Sequence, residues 1–547
     1  MIKTASAVLV FFGFAAAQAQ EIDPGTINGN FQFDVQNYFE DSLIGAPEFP
    51  SRVGSNGFLY LTYARGNFQS GVRFESYMPA LQGFLREKGA GLAHRFAQYE
   101  TKNLDIRVGN FYEQFGSGMV LRSYEEYGLG FDNSLDGARL RLRPLPGIEV
   151  TGLIGRQRNA FTFQLANMSE GIVRGIDADF ELNELLPGMD SMRTRYRIGG
   201  SFVSRFQTDN DPILILPENV ANYGVRFAIS GGKFSLNGEA VHKINDPSTV
   251  NALIYKPGNG VLLQATYSGK GLGVSFSAKR IDNMDYRSER AATFNNLNLN
   301  FLPPSTKQHT YRLMTLFPYA TQTNGEMGFQ TEIIYRIPKE TKLGGKYGTN
   351  ISLNFSHVRA LDKIVSADPD MGYEADFFAW GNRTFFQDIN AEIGRKFSDR
   401  FKGSVTYMNV VYDKSLFTQL TGFSSTTTVH SHVGVVEGIF KLKKKQTLRA
   451  EIQHAYTKQE FGSWAMLMLE YTIAPHWFVA AFDEYNYGNA NPDKRLQYFT
   501  GQIGYTQGQY RMTFGYGKQR AGVLCVGGVC RFVPAANGFG FSIQGSF

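Results

Sequence analysis

A chain of 547 residues can hold several soluble domains or one very large barrel. Its mean hydropathy of -0.25 is too polar for a bundle of membrane helices, and 46 Phe and 28 Tyr beside 59 Gly are foreign to most soluble enzymes. A β-barrel shows lipid only every second strand residue, so membrane insertion and modest hydropathy are compatible. The net charge of +6 is small for this length, and no Lys/Arg block has the footprint of a nucleic-acid binder.

The N-terminus reads as an export signal. Lys3 precedes a short apolar core over Ala5 to Ala17, and Ala17-Gln18-Ala19 offers an A-x-A cleavage site. Residues 1–19 are therefore expected to be a signal peptide, with Gln20 as the mature start. The apolar run is shorter than the roughly 20 residues a membrane helix needs. Residues 20–547 are expected to form one transmembrane barrel, with no separate plug or periplasmic domain, because the first strand (Phe31, Phe33, Val35) begins almost at once.

From there the chain alternates period-2 runs with turn residues. Leu59, Leu61 and Tyr63 turn at Gly66-Asn67 into Phe68, Val72 and Phe74. Leu140 and Leu142 turn at Pro144 to Gly147, Val225 to Ile229 at Gly231-Gly232, and Leu263 to Tyr267 at Gly269-Lys270. Later turns fall at Ser398-Asp399-Arg400, Lys443 to Gln446, Ala474-Pro475-His476 and Gln507-Gly508. Longer connections run from Glu40 to Asn56, Gln114 to Leu135, Asp282 to Asn324, Leu361 to Arg383 and Lys414 to Thr428. This predicts an all-β antiparallel barrel of about 24 strands (roughly 20 to 26), with short periplasmic turns and long extracellular loops. A propeller or chain of sandwiches needs a fixed repeat or linkers, and neither is found. Phe539, Phe541, Ile543, Gly545 and Phe547 alternate with small polar residues and resemble the closing strand that barrel-assembly machinery recognises.

Just before that strand, the turn Gly527-Gly528 sets Cys525 opposite Cys530 at a non-hydrogen-bonded position, close enough for a disulfide. The bridge is expected to pin an exposed loop tip.

Residues alternating with the apolar rows point inward. Asp105, Arg107, Arg139, Arg141, Glu149, Asp177, Asp179, Arg197, Glu392, Arg449 and Glu451 are the candidate lumen lining. Both signs occur on adjacent strands, which suits structural charge ladders in a wet lumen as well as a selectivity field. Residues 109–127 interrupt strand alternation with small, aromatic and charged residues. Phe115, Arg122, Tyr124, Glu125 and Glu126 mark this insert as a candidate constriction folded into the lumen.

The same segment carries a resemblance. GNFYEQFGSGMVLRSYEE followed by GFDNSLDGARLRL, sharpest over residues 103 to 143, resembles the hallmark of an uncharacterised family of Bacteroidota outer-membrane barrels of unknown function. The resemblance implies an outer-membrane barrel and no particular reaction.

Enzymatic motifs are lacking. His430 and His432 share a strand face without a third ligand, and no G-x-S-x-G accompanies His94. Asp368 to Glu374 departs from a calcium loop at Pro369. No catalytic residue, metal site or cofactor is assigned. The expected function is a loop-constricted channel for passive passage of small solutes in the outer membrane. The alternative is a structural or accessory subunit of a secretion or assembly complex. The expected partners are outer-membrane lipid and lipopolysaccharide, the assembly machinery during biogenesis, and in the second case other envelope proteins. A barrel this wide leaves an aqueous hole unless its loops fill it.

Overall fold

The computed structural model describes residues 24–49, 51–84, 86–162, 165–417, 428–526 and 529–547. The predicted signal peptide, the mature start, the Gly527-Gly528 turn and most of the Lys414–Thr428 connection lie outside them.

Twenty-four strands form one closed sheet. They are β1 (Thr26–Tyr38), β2 (Val53–Arg65), β3 (Phe68–Tyr77), β4 (Gly89–Glu100), β5 (Leu104–Phe111), β6 (Leu135–Leu142), β7 (Ile148–Thr162) and β8 (Leu165–Glu181). There follow β9 (Arg195–Phe206), β10 (Asn219–Gly231), β11 (Phe234–Lys243), β12 (Gly258–Gly269), β13 (Leu272–Asp282), β14 (Glu326–Ile337), β15 (Thr349–Val365) and β16 (Tyr373–Lys396). The last are β17 (Phe401–Asp413), β18 (Thr428–Lys443), β19 (Gln446–Thr457), β20 (Trp464–Ile473), β21 (Trp477–Tyr485), β22 (Gln497–Gln507), β23 (Tyr510–Gln519) and β24 (Ala536–Ser546). Each pairs antiparallel with its neighbours in sequence. The ring closes where β24 meets β1, with Phe541 opposite Val35 and Ile543 opposite Phe33.

The connections alternate as expected. One end carries turns such as 66–67, 232–233, 270–271, 444–445 and 508–509, with longer ones only at 182–194 and 338–348. Gly66 and Gly232 take φ of 55° and 58°, the left-handed geometry that tight hairpin turns demand. The other end carries the long segments, above all 112–134, 283–325 and 520–535. One boundary is corrected. Most of the predicted Leu361–Arg383 connection is strand, because β15 runs to Val365 and β16 starts at Tyr373. Bulges between Val358 and Lys363 absorb the register, and Phe377, Phe378 and Trp380 are good strand formers.

The strands alternate, and their outward residues form apolar rows: Val405 and Tyr407, Leu467 and Leu469, Val479, Phe514 and Phe541 all stand exposed. The inward row changes character along each strand. On β12, Gly258, Gly260 and Leu262 are buried, whereas Gln264, Thr266 and Ser268 are open. On β19, which runs the opposite way, the inward residues pass from half-buried Arg449 to buried Glu451, Gln453 and Ala455. The long-loop half of the interior is therefore filled, and the short-turn half is a wet vestibule.

Candidate functional site: the filled interior

Three loop segments do much of the filling. The first, 112–134, packs Phe115, Met119, Val120 and Leu121 fully buried against Leu153, Val173, Val203, Val241 and Leu262 of the inner wall. Glycines make room for it. A Cβ on Gly175 of β8, Gly224 of β10 or Gly260 of β12 would stand 3.0, 3.4 or 3.7 Å from Phe115, Val120 or Met119. Polar anchors fix the depth: Asn222 Nδ2 donates to Met119 O at 3.0 Å, and Ser117 N to Glu239 at 2.8 Å. The candidate constriction thus lies inside the barrel.

Its charged residues have specific partners. Arg122 lies between two rings, 4.1 Å above Tyr124 and 4.1 Å above Phe301. Burial pushes the Tyr124 hydroxyl up to about 12, against the pull of Arg122. Glu125 accepts from Arg73 of β3 at 2.9 Å, and Glu126 pairs through its backbone with Phe131. Around Arg73 a buried network assembles. Arg73 and Arg158 of β7 both reach Glu75, each at 2.8 Å, and both bind Asp132 of the insert. Burial alone raises a carboxyl, but the guanidiniums of Arg158 and Arg73 overcome it and hold Asp132 well below the usual range.

The second segment, 283–325, crosses the interior. Met284, Tyr286, Leu299 and Leu302 join the cluster around the first insert, and Leu313, Met314 and Tyr319 join a second cluster on β15–β20. Its polar residues bind the far wall: His309 lies 2.7 Å from Asp388, Leu313 N donates to Gln453 at 2.8 Å, and Arg312 pairs with Glu484. Sequence reasoning found the length of this connection and missed its destination. Its run of Leu, Met and Tyr was the available signal, since an exposed loop has no use for it.

The third is the hairpin Gly522–Val526 and Val529–Val533, whose Cys525 and Cys530 form the expected disulfide with Cα atoms 4.0 Å apart. The expected exposed tip itself lies outside the described residues, but one of the two sulfurs is deep. Cys530 is 2% exposed and packs in the second cluster with Val523 and Cys525. Asn295 donates to Cys530 O, and Arg531 Nη1 donates to Gly83 O at 3.2 Å and Leu129 O at 3.1 Å. An apolar hairpin beside an apolar plug is drawn inward rather than out to water.

The predicted lining stands on the inner face in ladders. Asp105 pairs with Arg139, Glu113 of the insert with Arg141 at 2.9 Å, and Glu149 with Arg143 at 2.7 Å. Arg107 stacks 3.6 Å over Phe96. Asp177 and Asp179 share Arg226, at 2.8 and 2.7 Å, while Arg197 pairs with Glu181. Arg449 holds Glu437 and Glu451, at 2.6 and 2.7 Å. Glu392 is set apart, between Ser352 and Thr406 in the ladder. Arg226 and Arg73 were missed, although both alternate with outward apolar residues as the chosen ones do.

Several cavities lie between these parts. One of about 380 Å³, in the vestibule, is walled by Glu113, Arg141, Asp177, Arg197 and Arg226. One of about 260 Å³ lies among Glu75, Glu87, Glu125, Asp132 and Arg158. One of about 480 Å³ lies between the second segment and the hairpin. Arg531 borders both of the last two. Among the described residues no group of His, Cys, Asp and Glu is arranged to hold a metal ion.

Solved structures resemble the chain at low sequence identity. The chain is similar to the siderophore receptor PirA from Pseudomonas aeruginosa, at 10% identity and a TM-score of 0.42 over 96% of this chain and 81% of that one. It is also similar to the P pilus usher PapC translocation pore, at 8% and 0.38 over 95% and 99%. A third is OccAB4 from Acinetobacter baumannii, at 8% and 0.34 over 96% and 99%. No curated protein matches the chain. Over residues 1–547 it matches a family described only as a family of unknown function (DUF6029), and it belongs to that family.

Proposed function

We propose that this protein is a loop-occluded channel in a bacterial outer membrane, passing small solutes between its long-loop face and the periplasm. The outward apolar rows face lipid, with lipopolysaccharide on the long-loop side and assembly by the barrel-assembly machinery. The observation that carries the reading is a set of cavities within the filled barrel. Arg531 lines both the 260 and the 480 Å³ space, and the vestibule beneath the plug has a wall of paired charges. The plug itself meets the wall through ion pairs and separate apolar clusters, leaving seams between segments. Purified barrel in planar bilayers tests this. Wild type should give small conductance steps, and deletion of 522–533 should enlarge them several-fold. Silence in both forms rejects the channel.

A second reading, an accessory subunit of an envelope complex, is favoured by the β15–β16 hairpin. β16 has 24 residues, whereas about 9–11 span a bilayer, and Val365 at the end of β15 and Phe378 near the start of β16 are 86% and 84% exposed. Co-purification of envelope proteins that is lost in a Val365→Ser/Phe378→Ser variant supports it.

A further inference from the structure

The 480 Å³ cavity has a one-sided charge. Lys307, His309, Arg312, Arg520 and Arg531 reach its wall, and among the described residues no Asp or Glu does. The carboxylates behind the wall answer only part of that charge. Lys307 has Glu332 at 2.8 Å, and His309 has Asp388 at 2.7 Å. Arg312 and Arg520 share one carboxylate, Glu484, which is fully buried. Arg531 binds backbone carbonyls through Nη1, and its Nε–H is buried without an acceptor. The opposite side of the cavity is apolar, formed by Phe317, Phe386 and Val523.

We propose that this cavity binds a small organic anion, its carboxylate beside Arg312 and Arg520, which meet at Glu484, and its apolar body against Phe317, Phe386 and Val523. The volume falls within the roughly 300–1,000 Å³ of small-molecule sites, which are mostly apolar with a few placed polar groups. Electrostatics points the same way. Burial lowers Arg312 to about 10, with Arg520 adding to the shift, and burial lowers Arg520 to about 10. Both guanidiniums gain from a further anion beside them. A guanidinium fork matches a carboxylate with two parallel hydrogen bonds. The proposal rests on the channel reading for its role in transport, but the binding does not.

Trp464 supplies the readout, because Arg520 Cζ lies 5.8 Å from its ring centre. The full chain carrying Trp380→Phe and Trp477→Phe, folded in detergent, is titrated with hexanoate and, separately, with hexylammonium. Hexanoate should change Trp464 fluorescence saturably, and the cation of equal length should not. Arg520→Gln and Arg312→Gln should each weaken hexanoate about tenfold, Arg520→Lys should retain part of the affinity, and Lys233→Gln on a short turn should change nothing. The heat-modifiable gel shift of the folded barrel identifies any variant that fails to fold, and the other variant then decides. No saturable change, an equal response to hexylammonium, or wild-type affinity in both folded Gln variants overturns the proposal. Hexanoate binding by a barrel that never conducts removes the channel and leaves the site; conductance without binding does the reverse.

Discussion

Arg531 donates to the backbone carbonyl of Leu129 at 3.1 Å, so the last inward segment of the chain is tied to the first. Through the same nitrogen it holds Gly83 O, which fastens the hairpin to a third loop. The hairpin is a two-stranded sheet separate from the barrel, and such ribbons are marginal alone.

Arg531→Ala should therefore loosen the hairpin without touching the wall. Hydrogen bonds from a charged donor contribute about 1.5–3 kcal/mol each. The expected outcome is faster amide exchange over 522–533 and larger conductance steps, with the exchange of β12 and β19 unchanged.

Reducing the Cys525–Cys530 bridge should act on the same element. Closing so short a loop contributes about 2 kcal/mol through the unfolded ensemble. Cys525→Ser/Cys530→Ser should raise proteolysis within the hairpin while the barrel keeps its folded gel mobility.

Asp132→Asn should cost about 3–5 kcal/mol, because it leaves Arg73 and Arg158 buried and short of charge. Urea unfolding in detergent measures it.

The same carboxylate sets an acid limit. Its folded pKa lies below the ordinary 3.8, so its stabilisation is complete above that value and is lost as pH falls through the lower folded one. The difference in unfolding midpoint between wild type and Asp132→Asn should be level above about pH 4 and shrink below it.

Gly175→Leu should expel the insert, since a Cβ there already stands 3.0 Å from Phe115. Overpacking costs about 1–3 kcal/mol. Amide exchange at residues 115–121 should rise, and the vestibule should connect to the long-loop face in conductance measurements.

The sheet was legible because its signal is local. Leu59, Leu61 and Tyr63 against Gly66-Asn67 specify a strand, a face and a turn without reference to the rest of the chain. Parity then placed Asp105, Arg139 and Arg449 on the inner face, where the ion pairs are found. The occupants of the interior are a tertiary matter. Nothing near Leu313 in sequence says that Gln453 will accept from it, and the glycines that admit Phe115 lie on other strands. The hairpin shows the same division: the Cys pair gave its covalent geometry, but the burial of Cys530 depends on Asn295 and the second cluster.

The pairing of β1 with β24 also dictates an order of events. Strands some 500 residues apart complete the ring, so each keeps an unpaired edge until they meet, open to aggregation. The segment that ties Leu299 to one cluster and Leu313 to the other bridges two parts of that ring, so a variant that weakens its packing should also slow closure, read as the rate at which the folded gel mobility appears.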